Sequence, residues 1–228
     1  MTHEFDQIAD TYDRWYDTSE GRIIFHAELE CLRSLYEKCP GRWLEVGTGT
    51  GRFSSMLGVA EGIDPSPRML EIASGRGIRT YEGYAENLPF PVSSFDGVLM
   101  ALALCFVSDS RKALEESRRV LRPCGCLLIG IIPADSPWGR EYMEKATRGH
   151  PVYTQAHFLT ADETVRLTRN AGFTLADAAS TLFWKPGEMS QTEPQIKNGI
   201  VPEAGFLGLL FKKTASEHLN ADNMRGRG

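Results

Sequence analysis

Three glycines at alternate positions, directly after a short apolar stretch, constrain this chain more than anything else in it. Residues 42–46 read as a first strand, and its apolar members Trp43, Leu44 and Val46 run into Gly47, Gly49 and Gly51. Glycines at that spacing let the backbone turn tightly and let a ligand lie against main-chain atoms with no Cβ in the way. A second apolar stretch, Val59 to Ile63, then ends in Asp64. An acid at the end of the second strand of an α/β sheet is placed to accept hydrogen bonds from ribose hydroxyls. Loop and acid together imply a cofactor that contains a nucleoside.

The spacing then discriminates between cofactors. A dinucleotide fingerprint asks for a third glycine where Arg52 stands, and for an acid ~20 residues along, a little later than Asp64. Glu45, just before the loop, would repel a pyrophosphate and suits a cationic amino group instead. S-adenosylmethionine carries a ribose, an α-amino group and a sulfonium, and no phosphate. It fits this acidic rim better than NAD.

The successive stretches LEVGTGTGRF, GIDPSPRML and GYAENLPFPVSSFDGVLM resemble the motifs of class I S-adenosylmethionine-dependent methyltransferases. The likeness is greatest to the branch that includes ubiquinone and menaquinone C-methyltransferases and many small-molecule methyltransferases. The opening FDQIADTYDRWYDT resembles that branch's N-terminal segment. The resemblance implies a Rossmann-like α/β fold, with a seven-stranded, mostly parallel sheet, helices on both faces, an antiparallel last strand and a small lid. One domain is expected over 1–228: a helical cap (1–40), a cofactor-binding core (41–132), a lid and substrate region (133–157), a C-terminal helix with antiparallel strands (158–212), and a tail (213–228).

Composition limits the partners. With 228 residues and a net charge of −5, the chain lacks the basic face that neutralising phosphates requires, so nucleic acid is not expected. Arg118, Arg119 and Arg122 are the one basic cluster of note, at a helix end where cations complement the dipole. No apolar run approaches ~20 residues, so no membrane span is expected, and the N-terminus lacks the apolar core of a secretory signal. Five cysteines without a CxxC spacing predict a reducing compartment, no disulfide framework, no metal site and a cytoplasmic protein.

Periodicity places helices over 4–15 and 22–38 and a short one after the glycine loop. Ser66 and Pro67 supply a cap and first-turn proline for another. Apolar runs predict strands at 78–81, 95–101 and 126–132, with a helix carrying Ala113, Leu114 and Val120 before the last of these. Residues 133–157 show no clean period and read as an irregular lid. Thr160 and Glu163 form a capping-box pattern opening a helix to Asn170. Final strands are expected at 173–184 and 205–212, with a polar, mobile connection between them.

The resemblance assigns the cofactor contacts. Glu45, Val46, Gly47, Thr48 and Gly49 take the methionine part, Asp64 and Pro65 the ribose, and Met69 the adenine edge. Tyr84, Ala85 and Glu86 take the adenine, with Ala101 as the floor. Tyr84 departs from the Asp or Asn usual in the family. No catalytic acid or base is written after the fourth strand, where Ala101 to Cys105 is apolar. Alignment and desolvation carry much of small-molecule methyl transfer. Tyr12, Tyr16, Trp138, Tyr153 and His157 are candidate acceptor contacts, with Trp15, Tyr142 and His150 beside them. The expected partner is a small-molecule methyl acceptor. The rival readings are a methyltransferase acting on protein or RNA, a non-catalytic S-adenosylmethionine-binding module, and a nicotinamide oxidoreductase.

Overall fold

The computed structural model describes residues 2–188 and 193–214. Its strands form one sheet: β1 (Trp43–Val46), β2 (Glu61–Asp64), β3 (Arg79–Glu82), β4 (Phe95–Ala101), β5 (Leu121–Ile131), β6 (Phe173–Thr181), β7 (Lys197–Asn198) and β8 (Phe206–Lys213). The order across the sheet is β3-β2-β1-β4-β5-β8-β6-β7. The first five strands are parallel, while β8 runs antiparallel between β5 and β6. From β1 the chain works outward to β3, then crosses back to β4 on β1's other side. The gap between β1 and β4 is thus the topological switch point, where open α/β sheets bind ligands.

Strands buried on both faces need apolar residues in both directions, and the central ones have them. Leu44, Val46, Val98 and Met100 join one core cluster, whereas Trp43, Leu99 and Ala101 join the other. The first cluster is covered by α5 (Ser110–Val120) and α7 (Ala161–Asn170). The second is covered by α2 (Ser19–Tyr36), α3 (Arg52–Leu57) and α6 (Pro137–Thr147). Helices α1 (Thr2–Trp15) and α4 (Pro67–Gly75) complete the set. Ser66 caps α4 by accepting from the Met69 amide, with Pro67 in the first turn. At α7, Thr160 and Glu163 bond reciprocally as a capping box.

Three expectations need correcting. First, 133–157 is not an irregular lid, for α6 occupies its centre. Ser136 caps this helix at the Gly139 amide and Pro137 follows, the same device that opens α4. Trp138 and Tyr142 lie one turn apart on its inner face and are 2% and 5% exposed, so they do follow a helical period. Second, an eighth strand is present. The two-residue β7 pairs with β6 at the sheet edge, and β6 itself ends at Thr181. Part of the connection expected to be mobile, 189–192, and the tail from 215 lie outside the described residues.

Third, Cys39 and Cys126 form a disulfide across 87 residues of chain. Motif spacing cannot register such a pair, because the fold rather than the local sequence brings the turn after α2 against β5. Lys212, the register partner of Cys126 on β8, donates to both sulfurs, at 3.4 Å from Cys39 and 2.9 Å from Cys126. Cys31, Cys105 and Cys124 remain free. Among the described residues no helix is long and apolar enough to cross a membrane.

Candidate active site

The loop after β1 needs its glycines. Gly47, Gly49 and Gly51 have φ of 74°, 52° and 76°, in the left-handed region that other residues avoid. A Cβ on Gly47 would lie 2.5 Å from that of Ala103, whereas one on Gly49 would meet nothing within 4 Å. Gly47 is therefore a packing requirement, and Gly49 turns bare backbone to open space. The amides of Gly47 and Thr48 both donate to the Ile63 carbonyl, at 2.8 and 3.1 Å, which ties the loop to the end of β2.

Asp64 closes the arrangement. One carboxylate oxygen accepts from the Gly49 amide and the other from the Ser66 amide, both at 2.9 Å. Burial pushes its pKa up to about 6, against the two amide bonds that favour the charged form. Beneath the loop, Glu45 is 1% exposed. It accepts from the Thr48 hydroxyl at 3.1 Å and from the Ser54 hydroxyl. Burial raises its pKa to about 7.

A cleft of about 880 Å³ opens above the loop. Val46, Gly47, Gly49, Asp64, Pro65, Met69, Tyr84, Ala85, Glu86 and Ala101 all line it, so the structure brings together most of the expected cofactor residues. Glu45 and Thr48 do not line it; they sit underneath and brace the loop. Glu86 is also engaged in structure, since it accepts from the Ser108 and Asp109 amides at 2.7 and 3.1 Å. Phe5 and Phe106 close the far side, ring edge to ring face at 5.2 Å.

Helix α1 forms part of the roof, and the sequence reading missed how it is held. Asp6, Asp10 and Asp13 fall on one helical face, Asp17 follows just past the helix end, and all four pair with the cleft's rim. Asp6 accepts from the Ser66 hydroxyl, and Arg68 pairs with Asp10 at 2.8 Å. Asp13 meets both Arg52 and Arg76 at 2.8 Å, and Arg52 also reaches Asp17 at 3.0 Å. The two arginines hold the Asp13 carboxyl near a pKa of about 2 against the opposing effect of burial. Arg52, in the place of a dinucleotide fingerprint's third glycine, is thus the latch for α1. The acids' four-three-four spacing was the available signal.

Among the described residues no Lys, Arg or His lines the cleft, and no three His, Cys, Asp or Glu side chains gather as a metal site requires. A glycine loop without side chains in the way, a carboxylate at the second strand's end and an apolar floor suit a ligand with ribose hydroxyls and positive charge, without phosphate. Comparison with known proteins agrees. Residues 44–129 match the model of a family described as a methyltransferase domain. A solved structure from Thermotoga maritima superposes with a TM-score of 0.86 at 37% identity, covering 94% of this chain and all of that one. That protein is described as an S-adenosylmethionine-dependent methyltransferase, possible histamine N-methyltransferase.

This chain belongs to the S-adenosylmethionine-dependent methyltransferases.

Two further relatives mark the range of similarity. An uncharacterised protein of Mycobacterium tuberculosis is 40% identical over 92% of the chain and 73% of its own length. The demethylmenaquinone methyltransferase of Tropheryma whipplei is 36% identical over 55% of the chain and 56% of its own length.

Beside this cleft the methyltransferase has a second cavity, of about 1470 Å³, and Tyr12, Leu102 and Phe106 line both. Tyr16, Trp138 and Tyr153 line the second cavity, with Trp15, Tyr142 and His150. Its rings are ordered: Tyr153 stacks between Tyr142 and His150 at 4.4 and 4.5 Å, and the hydroxyls of Tyr12 and Tyr16 lie 2.9 Å apart. Burial raises the Tyr12 phenol to about 12 and pushes those of Tyr16, Tyr142 and Tyr153 well up. It lowers His150, helped by Lys145.

His157 is the exception among the expected acceptor residues. It is exposed and borders a smaller hollow of about 460 Å³ on the other side of Tyr153. The sequence reading also missed Glu28, which lines the second cavity from α2. Its signal was present: Glu28 interrupts an otherwise apolar stripe, one turn from both Ile24 and Leu32.

Proposed function

We propose that the methyltransferase acts on a small-molecule acceptor held in the second cavity. The observation that carries this reading is the wall shared by the two cavities, because an acceptor there would lie next to the cofactor while ringed by aromatic side chains. When bound, S-adenosylmethionine would supply a sulfonium methyl for in-line displacement by the acceptor's nucleophile, the methyl–sulfur bond breaking as the new bond forms and S-adenosylhomocysteine leaving. In this reading Asp64 accepts from the ribose hydroxyls and the Gly47–Gly49 backbone lies along the methionine part. Tyr84, Ala85 and Glu86 border the adenine, with Met69 at its edge. Glu45 keeps the loop in shape and adds negative charge near the amino group. The main contributions of the protein are alignment and exclusion of water.

Methyl transfer from labelled cofactor tests this. Three acceptor pools are offered: a bacterial metabolite extract, total tRNA, and a protein lysate freed of small molecules. Label in the metabolite pool is expected. Label confined to tRNA or protein would replace the proposal, and cofactor binding without transfer to any pool would favour a non-catalytic role.

A further inference from the structure

We propose that Glu28 is the recognition carboxylate for a basic nitrogen, so that the acceptor is a small amine with an aromatic or apolar body. This rests on the reading that the second cavity receives the acceptor.

The Glu28 side chain is 2% exposed, yet it makes no hydrogen bond and no ion pair among the described residues. No described side chain seals a polar atom away from both a partner and open space. The carboxyl oxygens must therefore face the cavity that Glu28 lines. Burying a carboxyl without a partner costs stability and contributes nothing to packing that Leu would not contribute better. Such a group, aimed into a hollow beside a cofactor cleft, marks the place of a ligand's polar end.

The surroundings decide the ligand's charge. The ionisable groups lining the cavity are Tyr12 on α1, Tyr16 just after it, Glu20 and Glu28 on α2, and Glu141, Tyr142 and Lys145 on α6. His150 and Tyr153 follow in the next loop. Three carboxyl groups thus face one lysine, and that lysine is already engaged, 3.4 Å from Glu141 and over the Tyr142 ring. Among the described lining residues an anion would find no unengaged lysine or arginine. A protonated nitrogen would find a carboxylate partner and the faces of several aromatic rings, which attract cations. The remaining wall, with Ile24, Ile132 and Trp138, is apolar and fits a hydrocarbon or ring body.

The metabolite extract of the previous test separates the possibilities. It is split on a cation-exchange resin at neutral pH, and retained and unretained fractions are assayed for methyl transfer. Transfer is expected in the retained fraction, and Glu28→Gln should reduce it at least ten-fold while leaving S-adenosylhomocysteine affinity unchanged. Unchanged affinity also establishes that the variant is folded. Calorimetry on the S-adenosylhomocysteine complex adds a defined probe: tryptamine should bind at least ten-fold more tightly than tryptophol, whose ring is the same but which carries no ammonium, and Glu28→Gln should erase the difference. Transfer found only in the unretained fraction, equal binding of the two probes, or a preference for the amine that survives in Glu28→Gln would each overturn the assignment of Glu28 and leave the small-molecule reading standing. Transfer only to tRNA or protein would overturn both.

Discussion

The two cavities meet at Tyr12 but are built on opposite plans. The cleft above the glycine loop, the proposed cofactor site, is a main-chain construction, in which loop amides, a carbonyl at the end of β2 and one carboxylate tie residues 47–66 together. The second cavity, the proposed acceptor site, is made largely of side chains carried by α1, α2 and α6, the last of these more than a hundred residues along the chain from the other two. A site made of backbone tolerates little change of sequence, because each glycine answers a steric demand. A site made of side chains can be recut one residue at a time. That is how one fold serves many acceptors while keeping one cofactor.

The largest effect that follows is on stability, and it arises in the second cavity. Burial raises the pKa of Glu28 from 4.5 to about 8. Below pH 4.5 both folded and unfolded states hold the proton, and the group has no effect. Between pH 4.5 and 8 the unfolded chain gives up a proton that the folded one keeps, so stability falls by about 1.4 kcal/mol per pH unit, and above the folded pKa the loss is complete. Glu45 and Asp64, raised to about 7 and 6, act in the same direction. Chemical denaturation of Glu28→Gln across pH 5–9 should show a flatter decline than the wild type, with a gain of a few kcal/mol at pH 9. Parallel curves for the two proteins would mean that Glu28 has a partner in solution.

Next in size is the contrast between two glycines of one loop. Gly47→Ala combines left-handed strain of about 1–2 kcal/mol with a collision against Ala103, so both stability and cofactor binding should suffer, the latter by about 100-fold. Gly49→Ala carries similar strain, but its methyl meets only open space, so cofactor affinity should fall more than the melting temperature does. Calorimetry with S-adenosylhomocysteine beside a thermal melt reads both quantities. Equal profiles for the two variants would remove the distinction between a packing glycine and a contact glycine.

Arg52→Ala should have a smaller effect, and it falls where the two plans join. The change leaves Asp13 with Arg76 and the Thr50 hydroxyl and releases Asp17. Loss of one half-buried, multiply bonded arginine is expected to cost about 1–2 kcal/mol. Because α1 roofs both cavities, affinity for cofactor and acceptor should fall together by a few-fold, with faster proteolysis within 2–17. A loss confined to one ligand would show that α1 does not act as a shared roof.

What the sequence revealed follows the same division. The glycine loop, Asp64 and the Phe95–Ala101 strand were legible because backbone demands leave marks on adjacent residues. The Ser66–Pro67 start of α4 was legible for the same reason. Ser136–Pro137 carries the identical mark, but Trp, Tyr, His and Gly in the following stretch outweighed it, and α6 was read as an irregular lid. Long-range partners leave no such mark. Nothing near Cys39 points to Cys126, and nothing near Arg52 points to Asp13. Glu28 was visible as a break in an apolar stripe, but the cavity it faces exists only once α6 has packed against α1 and α2.

Tyr84 offers the finest test, since the family resemblance implies Asp or Asn where it stands. Its side chain lines the cofactor cleft yet is 51% exposed. A phenol so placed cannot accept from an adenine amino group as a carboxylate would, but its ring can cover the base. Stacking of that kind is worth about 0.5–1.5 kcal/mol. Tyr84→Ala should therefore weaken S-adenosylhomocysteine by about three- to ten-fold and leave folding untouched, while Tyr84→Phe should bind like the wild type. If Phe behaved like Ala, the hydroxyl rather than the ring would be the contact. If Tyr84→Asp bound more tightly than wild type, the tyrosine would be a local loss of affinity, and the backbone would be carrying the adenine by itself.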